Sequence, residues 1–236
     1  MPINLLTGEQ YSVDYQKLRA EMMNLKLFHQ EDIQRRYVDT WISTLEKADR
    51  NTVKSYFSPS KQSLFLQEMQ EAPEVFQTVV KMQGNEMYLH FRVSRICQTL
   101  EMSGIHEDYS QDFEVEEFKE HKTINWTETV DTVKRDDPIL IVPFTIGSTY
   151  KLLVIDGNHR ITTAIRQDKK SIKGIVLDPT ALVENQLLST QFDIYLYVLQ
   201  NEVVWIGSEY PNTNSFDENK LLEKIYFVSK KVQAAV

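Results

Sequence analysis

Asp156-Gly157-Asn158-His159-Arg160 is the stretch whose residue types and order best suit chemistry. It follows an apolar run, Leu152 to Ile155, and precedes Ile161, Ala164 and Ile165, spaced i, i+3, i+4 as on the buried stripe of a helix. A strand, a turn and a helix are expected, with His159, Arg160 and Thr163 off the core face. Gly157 admits backbone angles that other residues avoid, and Asn158 can cap the helix. Several backbone N–H groups would then leave the turn beside two cation-capable side chains. A phosphate placed there would meet the helix dipole, those amides, a forked Arg160 and a His159 donor. Asp156, at the end of the strand, is placed to hold Mg²⁺ accompanying the phosphates or to orient His159. A plainer reading stands beside this one: Asp156 and Asn158 shape a turn, while His159 and Arg160 are solvated.

Other residues offer less. His29, His90, His106 and His121 show no HExxH or comparable ligand spacing, and no GxxxxGK[ST] or GxGxxG loop is present. The single cysteine, Cys97, excludes an intramolecular disulfide framework and a cysteine-cluster zinc site. Lys169-Lys170 and Lys230-Lys231 read as solvated helix ends.

The elements that must position these residues read as an α+β chain. Between Tyr11 and Ala48 the stripes Leu18, Met22, Leu25 and Ile33, Tyr37, Trp41, Leu45 predict two helices. Leu64, Phe65 and Met69 suggest a short third helix after the Ser58-Pro59-Ser60 breaker. Pro73 suits the first turn of a helix running through Met82 and ended by Gly84. Residues 86–102 fit either period, and Asn85 as a cap and Gly104 as a stop favour a helix. Phe113 to Phe118 alternates like a strand, and Trp126 to Val133 suits a helix. Ile139-Leu-Ile-Val142, between two prolines, reads as a buried strand leading by a hairpin into Lys151–Ile155. A helix to about Asp168 and a strand from Ile172 to Leu177 follow. Phe192 to Leu199 alternates, Val203 to Ile206 pairs with it or is irregular, and Leu221, Ile225, Val228 and Val232 mark a last helix. The expected division is a helical region, 1–108, and a domain with a small mixed sheet and helices, 109–236.

The chain has 236 residues, enough for one large domain or two small ones, and its net charge of -8 disfavours nonspecific contact with nucleic acid. The deficit is local. Residues 1–100 carry 12 basic and 12 acidic side chains and 138–236 carry 10 of each, whereas 101–137 carry 4 and 12. An acidic block running into a phosphate site would repel a bare nucleotide and suit one accompanied by divalent metal. With no basic n-region at its start and no run of about 18 apolar residues, the chain is expected to be cytoplasmic and without a membrane partner.

The run Asp137-Pro-Ile-Leu-Ile-Val-Pro-Phe144, a hairpin, then Leu153-Val-Ile-Asp-Gly-Asn-His-Arg-Ile161 and Ala164 resembles the ParB/sulfiredoxin superfamily over roughly residues 110–180. There a Pro-Ile strand precedes a second strand, and a Gly-x-His-Arg or Gly-Glu-Arg-Arg turn opens a helix that grips nucleotide phosphates. Sulfiredoxins carry a cysteine where this chain has Asn158. Chromosome-partitioning ParB proteins, which bind CTP, carry Gly-Glu-Arg-Arg-x-Arg-Ala, whereas this chain reads Asn158-His159-Arg160 and Thr162-Thr163-Ala164. The turn is most similar to the Asp-Gly-His-His-Arg of the free serine kinase branch, which transfers a nucleotide phosphate to a small hydroxyl compound.

That resemblance implies that Gly157, His159 and Arg160 hold the phosphates with Asp156 beside them; the reading of the residues themselves adds Asn158 and Thr163 to the phosphate site, with Asp156 as catalytic and magnesium-holding carboxylate and His159 as a further catalytic group. It also implies a carboxylate base after the first strand, best matched by Glu120 with Glu117 as substitute. The implied ligands are ATP, ADP or CTP with Mg²⁺, and the implied partner is a small hydroxyl-bearing substrate or a protein. The activity expected is a magnesium-dependent small-molecule phosphotransferase or nucleotide hydrolase. The alternatives are a nucleotide-sensing or partner-binding module without turnover and, disfavoured by the acidic balance, a ParB-like nuclease or DNA-associated protein.

Overall fold

The computed structural model describes residues 2–57, 74–82, 84–104, 109–119, 137–146, 149–209, 217–222 and 225. The fold is α+β, and the chain divides into two compact units. One is formed by Met1–Arg92 together with Val183–Val236, the other by Val93–Leu182. This departs from the division at residue 108: the last part of the chain joins the first.

Within the discontinuous unit, β1 (Ile3–Asn4) pairs with β2 (Glu9–Gln10), and α1 (Tyr15–Asn24) and α2 (Glu31–Phe57) follow. Asp14 caps α1, its carboxylate accepting the Lys17 N–H at 2.9 Å, and Leu18 and Met22 are buried. In α2, Glu31 and Asp32 sit at the positive end of the helix dipole, and Ile33, Tyr37, Trp41 and Leu45 form a buried stripe. α2 follows the sequence periodicity, and α1 does so at Leu18 and Met22, whereas Leu25, expected on the same stripe, follows the last helical residue and is exposed.

The next two elements do not. Residues expected to form a helix ending at Gly84 are instead β3 (Phe76–Met82), paired antiparallel with β4 (Asn85–Phe91) from Phe76↔Phe91 to Met82↔Asn85. Gly84 takes φ +90° in the hairpin turn, a left-handed angle suited to glycine, and so turns a hairpin rather than stopping a helix. Asn85, expected to cap a helix, accepts the Asp14 N–H on its Oδ1 at 2.9 Å. A helix does form later, as α3 (Val93–Ser103), and ends at Gly104 as expected. Residues 86–102 thus contain both readings of their ambiguous period, in succession.

The stretch read as alternating strand from Phe192, with Val203 to Ile206, is the single helix α7 (Gln191–Glu209). Phe192, Ile194, Leu196, Tyr197 and Leu199 are all buried, so apolar residues occupy more than one face and mimic a two-residue period. It packs on α2, where Tyr37 Oη and Trp41 Nε1 donate to the same Glu202 oxygen at 2.9 and 2.6 Å. Of the expected last helix, Glu218–Leu222 and Ile225 are helical, and Val228 and Val232 lie outside the described residues. So do the helices proposed around Leu64–Met69 and Trp126–Val133.

Glu218 is buried and caps α2 from far along the chain, accepting the His29 N–H at 2.7 Å and the Gln30 N–H at 3.0 Å. Two charge-assisted bonds at a helix N-terminus make Glu218→Ala costly. A loss of about 2 kcal/mol is expected in urea denaturation, with Glu218→Gln intermediate.

The continuous unit holds a four-stranded mixed sheet in the order β5-β8-β6-β7, with β5 (Gln111–Glu114), β6 (Ile139–Ile146), β7 (Thr149–Asp156) and β8 (Ser171–Val176). β6 is parallel to β8 and antiparallel to β7, and β5 is antiparallel to β8. The strand expected over Phe113 to Phe118 stops at Glu114, and α4 (Glu116–Lys119) turns Phe118 into the core. β6 continues through Pro143, which is tolerated because the pairing to β8 covers only Ile139 to Ile141. α5 (Asn158–Arg166) carries the chain from β7 past β6 to β8, packing Ile161 against Ile139, Ile141, Val154, Phe113 and Phe118. α6 (Pro179–Glu184) follows β8. Among the described residues no helix is long and apolar enough to cross a membrane.

Candidate functional site

The site is the joint between β7 and α5. β7 ends at Asp156, paired with Leu140 across a register shift between Leu140 and Ile141. Gly157 then adopts φ +96° and ψ 17°, the left-handed region, and α5 opens with the Ile161 N–H donating to the Gly157 carbonyl at 3.0 Å. Gly157 is therefore the cap, and it offers no side chain to the helix. Asn158, expected to cap, is the first helical residue instead. Its Oδ1 is out of solvent with no hydrogen-bond partner among the described residues, and its carbonyl accepts from the buried Thr162 hydroxyl at 2.8 Å. The amides of Asn158 and Arg160 precede the first helical bond.

Two reasons require glycine at residue 157. Other residues are strained at this φ, and a β-carbon would lie 2.9 Å from Ile139 Cβ and 3.0 Å from Arg160 Nε. The chain approaches β6 so closely that Arg160 folds back over the turn. Its Nη1 donates to the Asp137 carbonyl at 2.7 Å and its Nη2 to Asp156 Oδ2 at 2.6 Å. The expected free fork is thus already oriented, half of it by an ion pair whose side chains are 14% and 29% exposed. His159 is exposed at the second helical position and Thr163 lies half-buried one turn on. Ile161, Thr162 and Ala164 are buried, so Thr162 joins the core face and Ile165 packs at its edge.

The structure therefore brings Asp156, Gly157, Asn158, His159, Arg160 and Thr163 together. Glu120 lies outside the described residues, and its substitute Glu117 is exposed on α4. Among the described residues no three His, Cys, Asp or Glu side chains converge to hold a metal. Asp156 commits Oδ2 to Arg160, so the residues suit an anion better than a bare cation. A magnesium ion would have to arrive with phosphate oxygens and water as its main ligands.

Of the other histidines, His90 is fully buried and held at both ring nitrogens. Its Nδ1 is 2.9 Å from Asp193 Oδ1, its Nε2 is 2.9 Å from Gln77 Oε1, and Leu5 N–H donates to Nε2 at 3.2 Å. Asp193 in turn accepts the Thr190 hydroxyl at 2.7 Å. This is a structural network. His29 faces Glu218, with 3.2 Å between Nδ1 and Oε1.

Comparison of the chain with protein-family models, with curated proteins and with solved structures finds no match.

Proposed function

We propose that the Gly157 turn binds the phosphates of a nucleotide, ATP, ADP or CTP with Mg²⁺, in the manner of ParB/sulfiredoxin-type proteins. One observation carries this reading: a left-handed glycine starts α5 while the guanidinium of Arg160 is held over the same turn. Helix amides, the positive end of the helix dipole and a fixed planar cation are complementary to a phosphate, and His159 stands exposed beside them. The chemistry proposed is phosphoryl transfer to a small hydroxyl compound, or hydrolysis, which asks mainly for positioning and charge neutralisation. A second reading, binding without turnover, is favoured by the ion pair of Asp156, which occupies one oxygen of the carboxylate nearest the turn.

Calorimetry with ATP, ADP and CTP plus Mg²⁺ tests the site. Arg160→Ala is expected to weaken binding roughly ten- to a hundredfold, the range for a lost charge-assisted bond. EDTA is expected to reduce binding, because the acidic block repels the bare nucleotide. Binding that is indifferent to Arg160→Ala sinks the proposal. Released phosphate or labelled product sensitive to Asp156→Asn or Glu120→Gln supports turnover, and binding without product supports the second reading.

A further inference from the structure

The two ring nitrogens of His90 are committed differently. Nδ1 lies 2.9 Å from Asp193 Oδ1, and both side chains are out of solvent, 1% and 2% exposed. Asp193 Oδ1 also accepts the His90 N–H at 3.2 Å, and its Oδ2 accepts the Thr190 hydroxyl at 2.7 Å. The carboxylate therefore accepts at both oxygens, and Nδ1 carries a proton.

Nε2 faces two groups with opposite demands. The Leu5 N–H points at it from 3.2 Å and needs a lone pair there, whereas Gln77 Oε1, 2.9 Å away, needs a proton. One ring nitrogen cannot supply both. The neutral ring satisfies Leu5 and sets the Gln77 oxygen against a lone pair; the doubly protonated ring satisfies Gln77 and sets its N–H against that of Leu5. Each state has a bond that the other lacks.

The bond at stake tethers the β1–β2 hairpin. Inside the hairpin, Asn4 Oδ1 accepts the Leu6 and Thr7 N–H groups at 3.0 and 3.2 Å, and the Asn4 carbonyl accepts the Gly8 N–H at 2.8 Å. The Pro2 carbonyl accepts the Tyr11 N–H at 3.0 Å where the hairpin ends. Among the described residues, Leu5 to His90 is the one hydrogen bond from residues 2–10 to any part of the unit beyond Tyr11. Pro2 and Ile3 are buried and the rest of the hairpin is half-buried or exposed, so little else ties it down.

The charges around the ring are few. Asp193 comes from α7 and pairs with no lysine or arginine among the described residues. Tyr11, ahead of α1, feels Asp193 and, from α2, Asp49, and its hydroxyl accepts the Tyr88 N–H of β4 at 3.1 Å. Burial pushes the Tyr11 phenol up, so it stays neutral. On the same face of β3 and β4, Lys81 and Glu86 pair with each other at 2.7 Å near the Gly84 turn, and Arg92 lies two residues beyond His90.

We propose that His90 is a proton-operated latch on the β1–β2 hairpin: neutral, it holds the Leu5 amide; protonated, it transfers its bond to Gln77 of β3 and lets the hairpin go. Asp193 keeps Nδ1 protonated in both states, so the change is confined to Nε2. The acceptor for the second proton is already in place.

Ring ¹⁵N shifts of His90 in the full chain locate its protons, and hydrogen exchange of the Leu5 amide, corrected for its intrinsic pH dependence, reports the tether. At the alkaline end of a titration Nε2 is expected to be bare and Leu5 protected. On acidification Nε2 should gain a proton while Leu5 protection falls roughly three- to tenfold with the same midpoint, the range for one lost hydrogen bond. Gln77→Glu, which sets a negative charge beside the imidazolium, should move that midpoint up by about one pH unit, and Gln77→Leu should move it down. Circular dichroism confirms that both variants are folded. The proposal is overturned if Leu5 exchange does not follow His90, if neither variant moves the midpoint, if the neutral ring carries its proton on Nε2, or if Nε2 takes up no proton before unfolding in both wild type and Gln77→Glu.

Discussion

Gly157→Ala is expected to cost about 3 kcal/mol in urea denaturation and to abolish nucleotide binding together with that loss. The left-handed angle alone penalises a β-carbon by about 1–2 kcal/mol, and forcing an atom into a packed core adds about 1–3 kcal/mol. The neighbour is Ile139, fully buried in the central strand β6 and paired with Gly174 of β8, so it has little room to retreat. The contact itself can be isolated with a double-mutant cycle. If the clash dominates, Gly157→Ala combined with Ile139→Ala will be less destabilising than the sum of the two single changes. Strict additivity would mean that backbone strain alone accounts for the loss. Arg160→Ala, by contrast, should weaken binding with a much smaller effect on stability.

Stability is also expected to fall as pH rises from about 5 to about 8.5. Glu202 is buried between α2 and α7 with no cation paired to it among the described residues, and burial pushes its carboxyl up to about 8 from an ordinary 4.5, partly opposed by the Tyr37 and Trp41 hydrogen bonds. Below pH 4.5 the group is protonated in both folded and unfolded chains and imposes no pH-dependent penalty. Between 4.5 and 8 the unfolded chain releases the proton while the folded one retains it, so folding loses stability with each step. Above 8 the loss is complete, on the order of a few kcal/mol. Glu202→Gln keeps an oxygen for Tyr37 and Trp41 but cannot ionise. Thermal melts of wild type and variant across this range should therefore converge at low pH and diverge as pH rises. Parallel curves would show that Glu202 titrates normally.

What could be read in the sequence depended on whether local pattern and tertiary role agreed. They agreed for α2, for the start of β6 after Pro138, although the strand runs on through Pro143, and for the Asp156-Gly157 joint, whose strand and helix have different periods on either side of one glycine. They disagreed for α7, where burial on several faces erased the helical period, and for β3 and β4, where Pro73 and Gly84 suggested the ends of a helix. The gathering of Asp156, His159 and Arg160 at one turn was legible because they are contiguous. The Asp156–Arg160 ion pair was implicit in their i, i+4 spacing. The hold of Asp137's carbonyl on Arg160 was not, because it depends on how β6 starts beside α5.

The chain leaves the discontinuous unit at Arg92 and re-enters at Val183 through a backbone clasp. Arg92 N–H donates to the Leu187 carbonyl and Ser189 N–H to the His90 carbonyl, both at 2.9 Å, while Phe91 bridges Leu188. During synthesis these partners emerge far apart in time: His90 waits for Asp193, 103 residues later, for on the order of ten seconds at ordinary translation rates. Closing so long a loop from an unfolded chain is entropically expensive, and the expense falls if the intervening Val93–Leu182 segment has already condensed. That segment carries the hairpin β6–β7 and the β7–α5 joint, whose contacts are local and form early. The β7–α5 joint would then be assembled on the ribosome before the discontinuous unit can close.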